Sequence, residues 1–148
     1  MAATARTQHL ATIDLLRARP FPARRRRSAR VTSGPGYHVA ELVTSEEFWE
    51  DDGTARIEAL EECEAERGAL SAVLAERWGE PQEMSLWSTL VRSGEGAPAP
   101  QPWLELSAVA ACLELWRVDG RWIALGVCQQ SAELPFQLVA AVTVNDPP

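Results

Sequence analysis

The chain has 148 residues, of which 46% are hydrophobic and 24% are charged, and this composition is sufficient for one folded domain and excludes a wholly disordered chain. No apolar run approaches the roughly 20 residues that a membrane-spanning helix needs. Three cysteines cannot form the complete disulfide framework of a small secreted protein. We therefore expect a small soluble protein of the cytoplasm.

The formal net charge of −7 is distributed very unevenly. All 14 basic residues are arginines, and eight of them lie in the first 30 residues, where Asp14 is the single acid. That segment carries +7 and the remainder carries −14. Such asymmetry is typical of a tail attached to a domain. We predict a disordered basic tail over residues 1–35, with too little apolar area to offset its chain entropy, followed by a single domain over residues 36–148.

Four interpretations of the tail are open. It could be a nucleic-acid arm in which Arg24–Arg27 neutralise phosphates. A secretory signal is disfavoured because its apolar core would have to be His9–Leu16, which is too short and too polar. A transit peptide requires a eukaryotic source. Abundant alanine and the absence of lysine indicate GC-rich codons, as in actinobacteria. In such a genome an over-extended reading frame, with its true start near Val31, is the interpretation we favour.

The first part of the predicted domain contains short elements. The run Ser33-Gly34-Pro35-Gly36 indicates a flexible joint and domain boundary. A short extended segment follows at Tyr37–Val43, and Thr44-Ser45-Glu46-Glu47 fits the capping-box pattern at the start of a brief helical turn.

A longer amphipathic helix is predicted next. Thr54 can cap its start, Gly79 can end it and Pro81 prevents its continuation. Between them, apolar residues recur three or four positions apart and form one stripe to be buried: Ile57, Leu60, Cys63, Leu70, Val73, Leu74 and Trp78.

The rest of the chain has the pattern of a β-sheet. We predict a strand over 84–91, a proline-stiffened loop over 93–102, and a hairpin of 108–118 and 121–129 around Asp119-Gly120. A last strand spans 136–144 after a second loop. The predicted fold class is therefore α+β, with one long amphipathic helix packed on an antiparallel meander of about four strands.

Both faces of the predicted hairpin are mainly apolar. A two-residue turn places Trp116 opposite Ile123 and Glu114 opposite Leu125 on one face, and Arg117 opposite Trp122 on the other. One helix covers one face, so something else must cover the second. Either the chain covers it, through the Trp49 region, the proline-rich loop or Trp103, or a second copy or protein partner does.

Candidate partner-binding residues follow from that second possibility. Tryptophan is enriched at interfaces, Arg117 could form a cation–π pair with Trp122, and the carboxylates repeated along the helix could steer a basic surface. Glu114 is either a solvated edge charge or a buried charge with a partner. The candidates are Trp87, Trp103, Trp116, Trp122, Arg117, Glu58, Glu62 and Glu66.

No catalytic, cofactor or metal site is predicted. His9 lies in the tail, and we expect His38 at the surface or at a sheet edge. The cysteines lack metal-ligand spacing, and we expect them to be free, with Cys112 and Cys128 on opposite faces of the hairpin. Gly94-Glu95-Gly96 does not fit a phosphate-binding loop, and no nucleophile-elbow motif is present.

The stretch from Arg77-Trp78-Gly79 to Glu133-Leu134-Pro135-Phe136 is similar to small actinobacterial proteins of unassigned activity. This resemblance implies no particular function. The leading hypothesis is a non-enzymatic protein-interaction protein, as a homodimer or as an immunity-type inhibitor of a basic partner, acting through the apolar sheet face and the acidic helix. The alternatives are a small-molecule-binding domain with a tryptophan-lined pocket and an enzyme that uses carboxylates alone.

Overall fold

The structure, a computed structural model, describes residues 2–28, 30–45, 53–86, 100–110, 112–129, 131 and 134–147. Within these residues the chain forms three helices and one antiparallel sheet of seven strands. The helices are α1 (Ala2–Ala18), α2 (Thr54–Trp78) and α3 (Trp103–Ser107). The strands are β1 (Arg26–Ser28), β2 (Val31–Gly34), β3 (Tyr37–Thr44), β4 (Gln82–Ser85), β5 (Cys112–Val118), β6 (Arg121–Gln129) and β7 (Phe136–Thr143). No helix within these ranges is long and apolar enough to cross a membrane.

The sheet consists of two antiparallel meanders joined side by side. Its order is β1-β2-β3-β7-β6-β5-β4, and α2 connects β3 to β4 in sequence. The α+β class is confirmed, and β4 to β7 form a four-stranded meander in the predicted order. Its first strand, β4, lies at Gln82–Ser85, whereas a strand over 84–91 was predicted, and residues 87–91 of that prediction lie outside the described residues. Of the three strands before α2, β3 coincides with the extended segment predicted at Tyr37–Val43, whereas β1 and β2 were not predicted, so the observed sheet is larger than the predicted one.

The hairpin of β5 and β6 has the predicted register. Asp119 and Gly120 both have positive φ, 51° and 79°, which is the conformation that a two-residue hairpin turn needs. Trp116 lies opposite Ile123 and Glu114 opposite Leu125. The first strand of the hairpin is shorter than predicted, because the chain forms α3 at 103–107 and enters β5 only at Cys112.

Helix α2 has the predicted extent, but its start and its stripe differ in detail. Gly53, with φ 102°, is the N-cap, and Thr54 is the first helical residue rather than the cap. Leu70 and Leu74 are fully buried, whereas Ile57 is 58% exposed. At 3.6 residues per turn, Ile57 lies roughly 120° around the axis from the buried residues, so the predicted stripe began too early in the chain.

Helix α1 and the strand after it are part of the fold, so the predicted disordered tail is wrong. Ile13 and Leu16 are fully buried in the core between the helices and the sheet. The apolar positions of α1 recur at three-residue spacing, which gives this helix a narrow buried side in spite of its arginines. The sequence interpretation weighed charge and overlooked that spacing.

The charges that suggested a separate tail attach it to the rest of the molecule. Asp14 accepts hydrogen bonds from Arg17 of its own helix at 3.1 Å and from Arg77 of α2 at 3.0 Å. Four further ion pairs join arginines of the first 30 residues to acids elsewhere: Arg6 to Glu66, Arg17 to Asp119, Arg25 to Glu105 and Arg27 to Glu41. The positive segment and the acidic body are therefore complementary surfaces of one fold.

Both faces of the central strands of the sheet are covered by the chain itself. Helices α1 and α2 lie on the inner face. On the outer face, Trp103 and Leu106 of α3 pack with Leu86 against side chains of β5, β6 and β7. Trp103 is fully buried, and its Nε1 donates to the carbonyl oxygen of Asn145 at 3.0 Å. The intramolecular alternative for the second apolar face is therefore what the structure shows.

Candidate functional site

Clefts open on the inner face at both ends of the described sheet because the sheet is wider than its two helices. Seven strands spaced about 4.8 Å apart span roughly 29 Å, whereas two packed helices cover about 20 Å. Helix α1 packs on β3 and β7, and α2 packs on β5, β6 and β7. The inner side of β1 and β2 at one end, and that of β4 at the other, form the walls of the two clefts.

The larger cleft, which we call the basic cleft, has a volume of about 890 Å³ and lies between β1–β2 and the segment that follows α1. Its described lining includes two arginines and no acidic residue. The residues that define it are Arg19, Phe21, Arg26, Ser28, Ser33 and His38.

A row of three polar side chains crosses the strands at this cleft. In the register of the sheet, Ser33 of β2 is paired with Arg26 of β1 on one side and with His38 of β3 on the other. Paired residues on adjacent strands point to the same face. Ser33 Oγ and Nδ1 of His38 are hydrogen-bonded at 2.6 Å.

His38 is completely buried on the third strand from the sheet edge, whereas a position at the surface or at a sheet edge was predicted. Its Nε2 lies 3.3 Å from the backbone carbonyl oxygen of Arg19, and its ring lies 4.8 Å from that of Phe21. The guanidinium of Arg121 lies 4.4 Å from the centre of the Phe21 ring and donates to the carbonyl oxygen of Arg19 at 3.2 Å. The imidazole is thus enclosed on two sides.

The tautomer of a neutral His38 follows from these partners. A carbonyl oxygen can only accept, so the proton resides on Nε2 and the lone pair of Nδ1 faces Ser33. Burial lowers the pKa of His38 below its ordinary 6.5, the charges of Arg19 and Arg121 lower it further, and the hydrogen bond to the Arg19 carbonyl opposes them. The neutral imidazole is therefore the form present at neutral pH.

The charge of the basic cleft comes from arginines that have no ion-pair partner in the part of the chain that the structure describes. Arg25 and Arg27 point elsewhere, to Glu105 at 3.1 Å and to Glu41 at 2.8 Å. Arg19 and Arg26 line the cleft and form no such pair with a described acid. Two uncompensated guanidinium groups beside an aromatic ring favour an anionic occupant.

The second cleft, with a volume of about 510 Å³, is lined by Glu64, Arg67, Glu83, Glu114, Leu125 and Val127 among others. Glu114 was predicted to be either a solvated edge charge or a buried charge with a partner. Its side chain is only 15% exposed, so the second alternative is the one observed. It forms an ion pair with Arg67, which also donates to Glu64 at 2.8 Å, and it accepts from the Ser71 hydroxyl at 2.7 Å. These carboxylates converge in a paired network that ties α2 to β5.

The predicted tryptophan candidates fall into different environments. Trp103 and Trp116 are core residues, and the indole of Trp116 donates to the carbonyl oxygen of Gly79 at 2.9 Å. Trp122 is half-buried, with the guanidinium of Arg117 5.0 Å from its ring centre, so the predicted cation–π pair is present. Trp87 lies outside the described residues. No tryptophan is among the described residues that line either cleft.

The predicted acidic candidates lie on α2, where Glu58 and Glu62 are exposed. Glu66 is half-buried and has its carboxylate 3.6 Å from the guanidinium of Arg6. The predicted basic cluster Arg24–Arg27 is divided: Arg24 is exposed, Arg26 lines the basic cleft, and Arg25 and Arg27 form ion pairs within the chain.

The three cysteines are free thiols, with Cys63 and Cys128 buried and Cys112 exposed. Burial raises the pKa of Cys63, and it raises the pKa of Cys128 to about 12, so both remain protonated at neutral pH. Within the described ranges, no group of three or more metal-ligating side chains comes together.

The sequence analysis missed the residues of the basic cleft because it interpreted Pro35-Gly36 as part of a flexible joint. Gly36 has φ 82°, and the two residues form a tight turn that pairs Gly34 with Tyr37 and Ser33 with His38. That turn was the available signal. Comparison of the chain with protein-family models, with curated proteins and with solved structures finds no match.

Proposed function

We propose that this protein binds a small anionic ligand in the basic cleft. The observation that carries the proposal is the pair Arg19 and Arg26, which line a cleft of about 890 Å³ with no acid among its described lining residues. This volume lies within the range of about 300–1,000 Å³ that is typical of small-molecule sites. This proposal develops the alternative hypothesis of a small-molecule-binding domain. The aromatic side chain at the pocket is Phe21 instead of the predicted tryptophans.

The lining defines the chemistry of the ligand. Guanidinium groups donate paired hydrogen bonds to carboxylate or phosphate oxygens, and hydrogen bonds to charged groups contribute about 1.5–3 kcal/mol each. The ring of Phe21 and the side chain of Val31 offer apolar contact beside them. The expected ligand therefore has one carboxylate or phosphate group on a short apolar or aromatic body.

The test is calorimetric titration of the full chain with inorganic phosphate, phenyl phosphate and benzoate. Arg26→Gln is the test variant. Arg24→Gln is its matched control, because this variant removes the same charge at an exposed residue that does not line the cleft. We expect Arg26→Gln to weaken phenyl phosphate binding about tenfold or more and Arg24→Gln to change it less than twofold. Equal weakening by both variants, or no binding of any probe, would refute the proposal.

A second candidate is docking of a basic protein on the exposed acidic face of α2. Ile57 is 58% exposed beside Glu58, Glu61 and Glu62, and none of these three acids forms an ion pair with a described residue. An apolar side chain among unpaired charges is consistent with an interaction surface steered by electrostatics. This is the remaining form of the interaction hypothesis, since the outer sheet face is occupied by α3.

The second candidate is tested by titration with a fluorescent arginine-rich peptide at low and physiological salt. The double variant Glu58→Gln/Glu62→Gln is compared with Glu76→Gln/Glu80→Gln, which removes the same charge from exposed positions near the other end of α2. We expect only the first pair to weaken binding. A mass that rises with concentration in light scattering would instead indicate that the partner is a second copy.

A further inference from the structure

We infer that Ser33 is a nucleophile of the basic cleft, with His38 as its general base, and that the site transfers an acyl group from an anionic ester first to Ser33 and then to water. This inference rests on the proposed function, because Arg19 and Arg26 would hold the anionic substrate. It departs from the expectation of a non-enzymatic protein and adds a reaction to the binding site.

The first support is the geometry of the hydroxyl. Ser33 Oγ lies 2.6 Å from His38 Nδ1, within the range in which a base can take the proton of a nucleophile. The carbonyl of Arg19 holds Nε2, so the base is oriented by a third group, as the general pattern of an activated serine requires. Arg121 and the turn at Pro35-Gly36 hold this arrangement from either side.

The second support is position. Ser33 and His38 both line the cleft, and the register partner of Ser33 on its other side is the cationic Arg26. A positive group beside the reacting atom stabilises the negative charge that develops on the carbonyl oxygen of an ester. Ser28 lines the same cleft one strand away, in register with Val31 rather than with a base.

The reaction conserves atoms and charge in two stages. Ser33 Oγ attacks the ester carbonyl carbon while its proton passes to His38 Nδ1, and the resulting oxyanion collapses with cleavage of the bond to the alcohol, which leaves with that proton. Water then attacks the acyl carbon of the Ser33 ester, gives a proton to Nδ1, and releases the carboxylic acid as the proton returns to Ser33 Oγ.

The orienting group also sets the expected rate. A neutral carbonyl does not stabilise the imidazolium as a carboxylate would, and Arg19 and Arg121 disfavour it. We therefore expect a slow hydrolase. Because the pKa of His38 is lowered from 6.5, the base stays available across neutral pH, so the rate of Ser33 modification should be constant from pH 8 to 6.5.

The experiment is labelling of the full chain with diisopropyl fluorophosphate, followed by mass spectrometry of the modified peptide. Ser33 Oγ displaces fluoride from phosphorus and its proton leaves through His38. We expect an adduct on Ser33, its loss in Ser33→Ala, its retention in Ser28→Ala, and a decrease of about 100-fold or more in the labelling rate of His38→Gln. Circular dichroism establishes that each variant is folded. If His38→Gln does not fold, the role of His38 is tested by the labelling rate of the wild type, which should be constant from pH 8 to 6.5.

The outcomes separate this inference from the proposed function, because the probe is uncharged and does not need the arginines. A folded protein without an adduct on Ser33, equal labelling of Ser28, or a labelling rate unaffected by His38→Gln would overturn the inference while leaving anion binding intact. Labelling of Ser33 in a protein that binds no anionic probe would support the nucleophile and refute the proposed function.

Discussion

Replacement of a single buried residue of α1 measures whether the first 30 residues belong to the fold. Ile13 is fully buried between the helices and the sheet, whereas Leu15, two positions further along the same helix, is 55% exposed. The variants Ile13→Ala and Leu15→Ala therefore differ in burial and share their helix, their truncation to alanine and their position next to Asp14 in the sequence.

The expected cost of Ile13→Ala follows from the atoms it removes. Three buried carbon groups at about 0.8 kcal/mol each contribute about 2.4 kcal/mol, and the cavity left behind brings the total to about 3–4 kcal/mol. Leu15→Ala removes half-solvated atoms and places a good helix former in a helix, so its free energy of unfolding should stay within about 0.5 kcal/mol of the wild type.

Urea unfolding followed by tryptophan fluorescence and circular dichroism provides the assay. With a slope of about 1–3 kcal/mol per molar urea, the midpoint of Ile13→Ala should fall by about 1–4 M at unchanged slope, and that of Leu15→Ala by less than about 0.5 M. Midpoints of both variants within 0.5 M of the wild type would show that α1 does not pack on the sheet, and the interpretation of residues 1–35 as a disordered tail would be restored.

Three further perturbations follow from the packing and the charges. Trp103→Ala should cost about 3–5 kcal/mol of unfolding free energy in the same assay, because this side chain fills the outer core, while the half-buried Trp122→Ala should cost clearly less; equal costs would contradict the outer cover. Arg67→Ala leaves Glu114, 15% exposed, without its cation and should cost about 2 kcal/mol, a value reduced for partial solvation, and the double variant with Glu114→Ala should lose less than the sum of the two single costs. For His38, whose pKa is lowered in the folded state, the unfolded chain binds the extra proton below pH 6.5, so stability should decrease as pH falls through 6.5 towards the folded pKa; unfolding free energies that fall just as steeply in His38→Gln would rule this out.

The elements that were predicted well are those whose local signals agree with one another. In α2 the apolar spacing and Gly79 favour the same helix, and in the hairpin the residues Asp119-Gly120 require the backbone that the observed register uses. From that register, the presence of two apolar faces was deduced correctly. The identity of the outer cover was left open, because a helix of five residues such as α3 has too short a repeat to stand out from the proline-rich segment before it.

The N-terminal third was misinterpreted because composition was given more weight than pattern. Eight arginines indicated a solvated tail, although Ile13 and Leu16 already had helical spacing and acids elsewhere could pair with the arginines. Pro35-Gly36 was interpreted as a joint, although a proline followed by a glycine between two short extended segments also forms a hairpin turn. Interpreted in that way, the turn pairs Ser33 with His38 from sequence alone. The residues opposite them, Phe21 and Arg121, are distant in sequence and could not be placed.

The position of the candidate site follows from a mismatch of widths. A seven-stranded sheet needs more cover than two helices supply, and the chain covers the outer face with α3 but leaves the inner side of its end strands open. At the β4 end, the lining carries Glu64, Glu83 and Glu114 against Arg67, so that cleft is acidic. At the β1 end, Arg25 and Arg27 form ion pairs with Glu105 and Glu41. Arg19 and Arg26 line the cleft and pair with no described acid. Because Arg19 and Arg26 pair with no described acid, an anion bound between them should raise the free energy of unfolding by mass action.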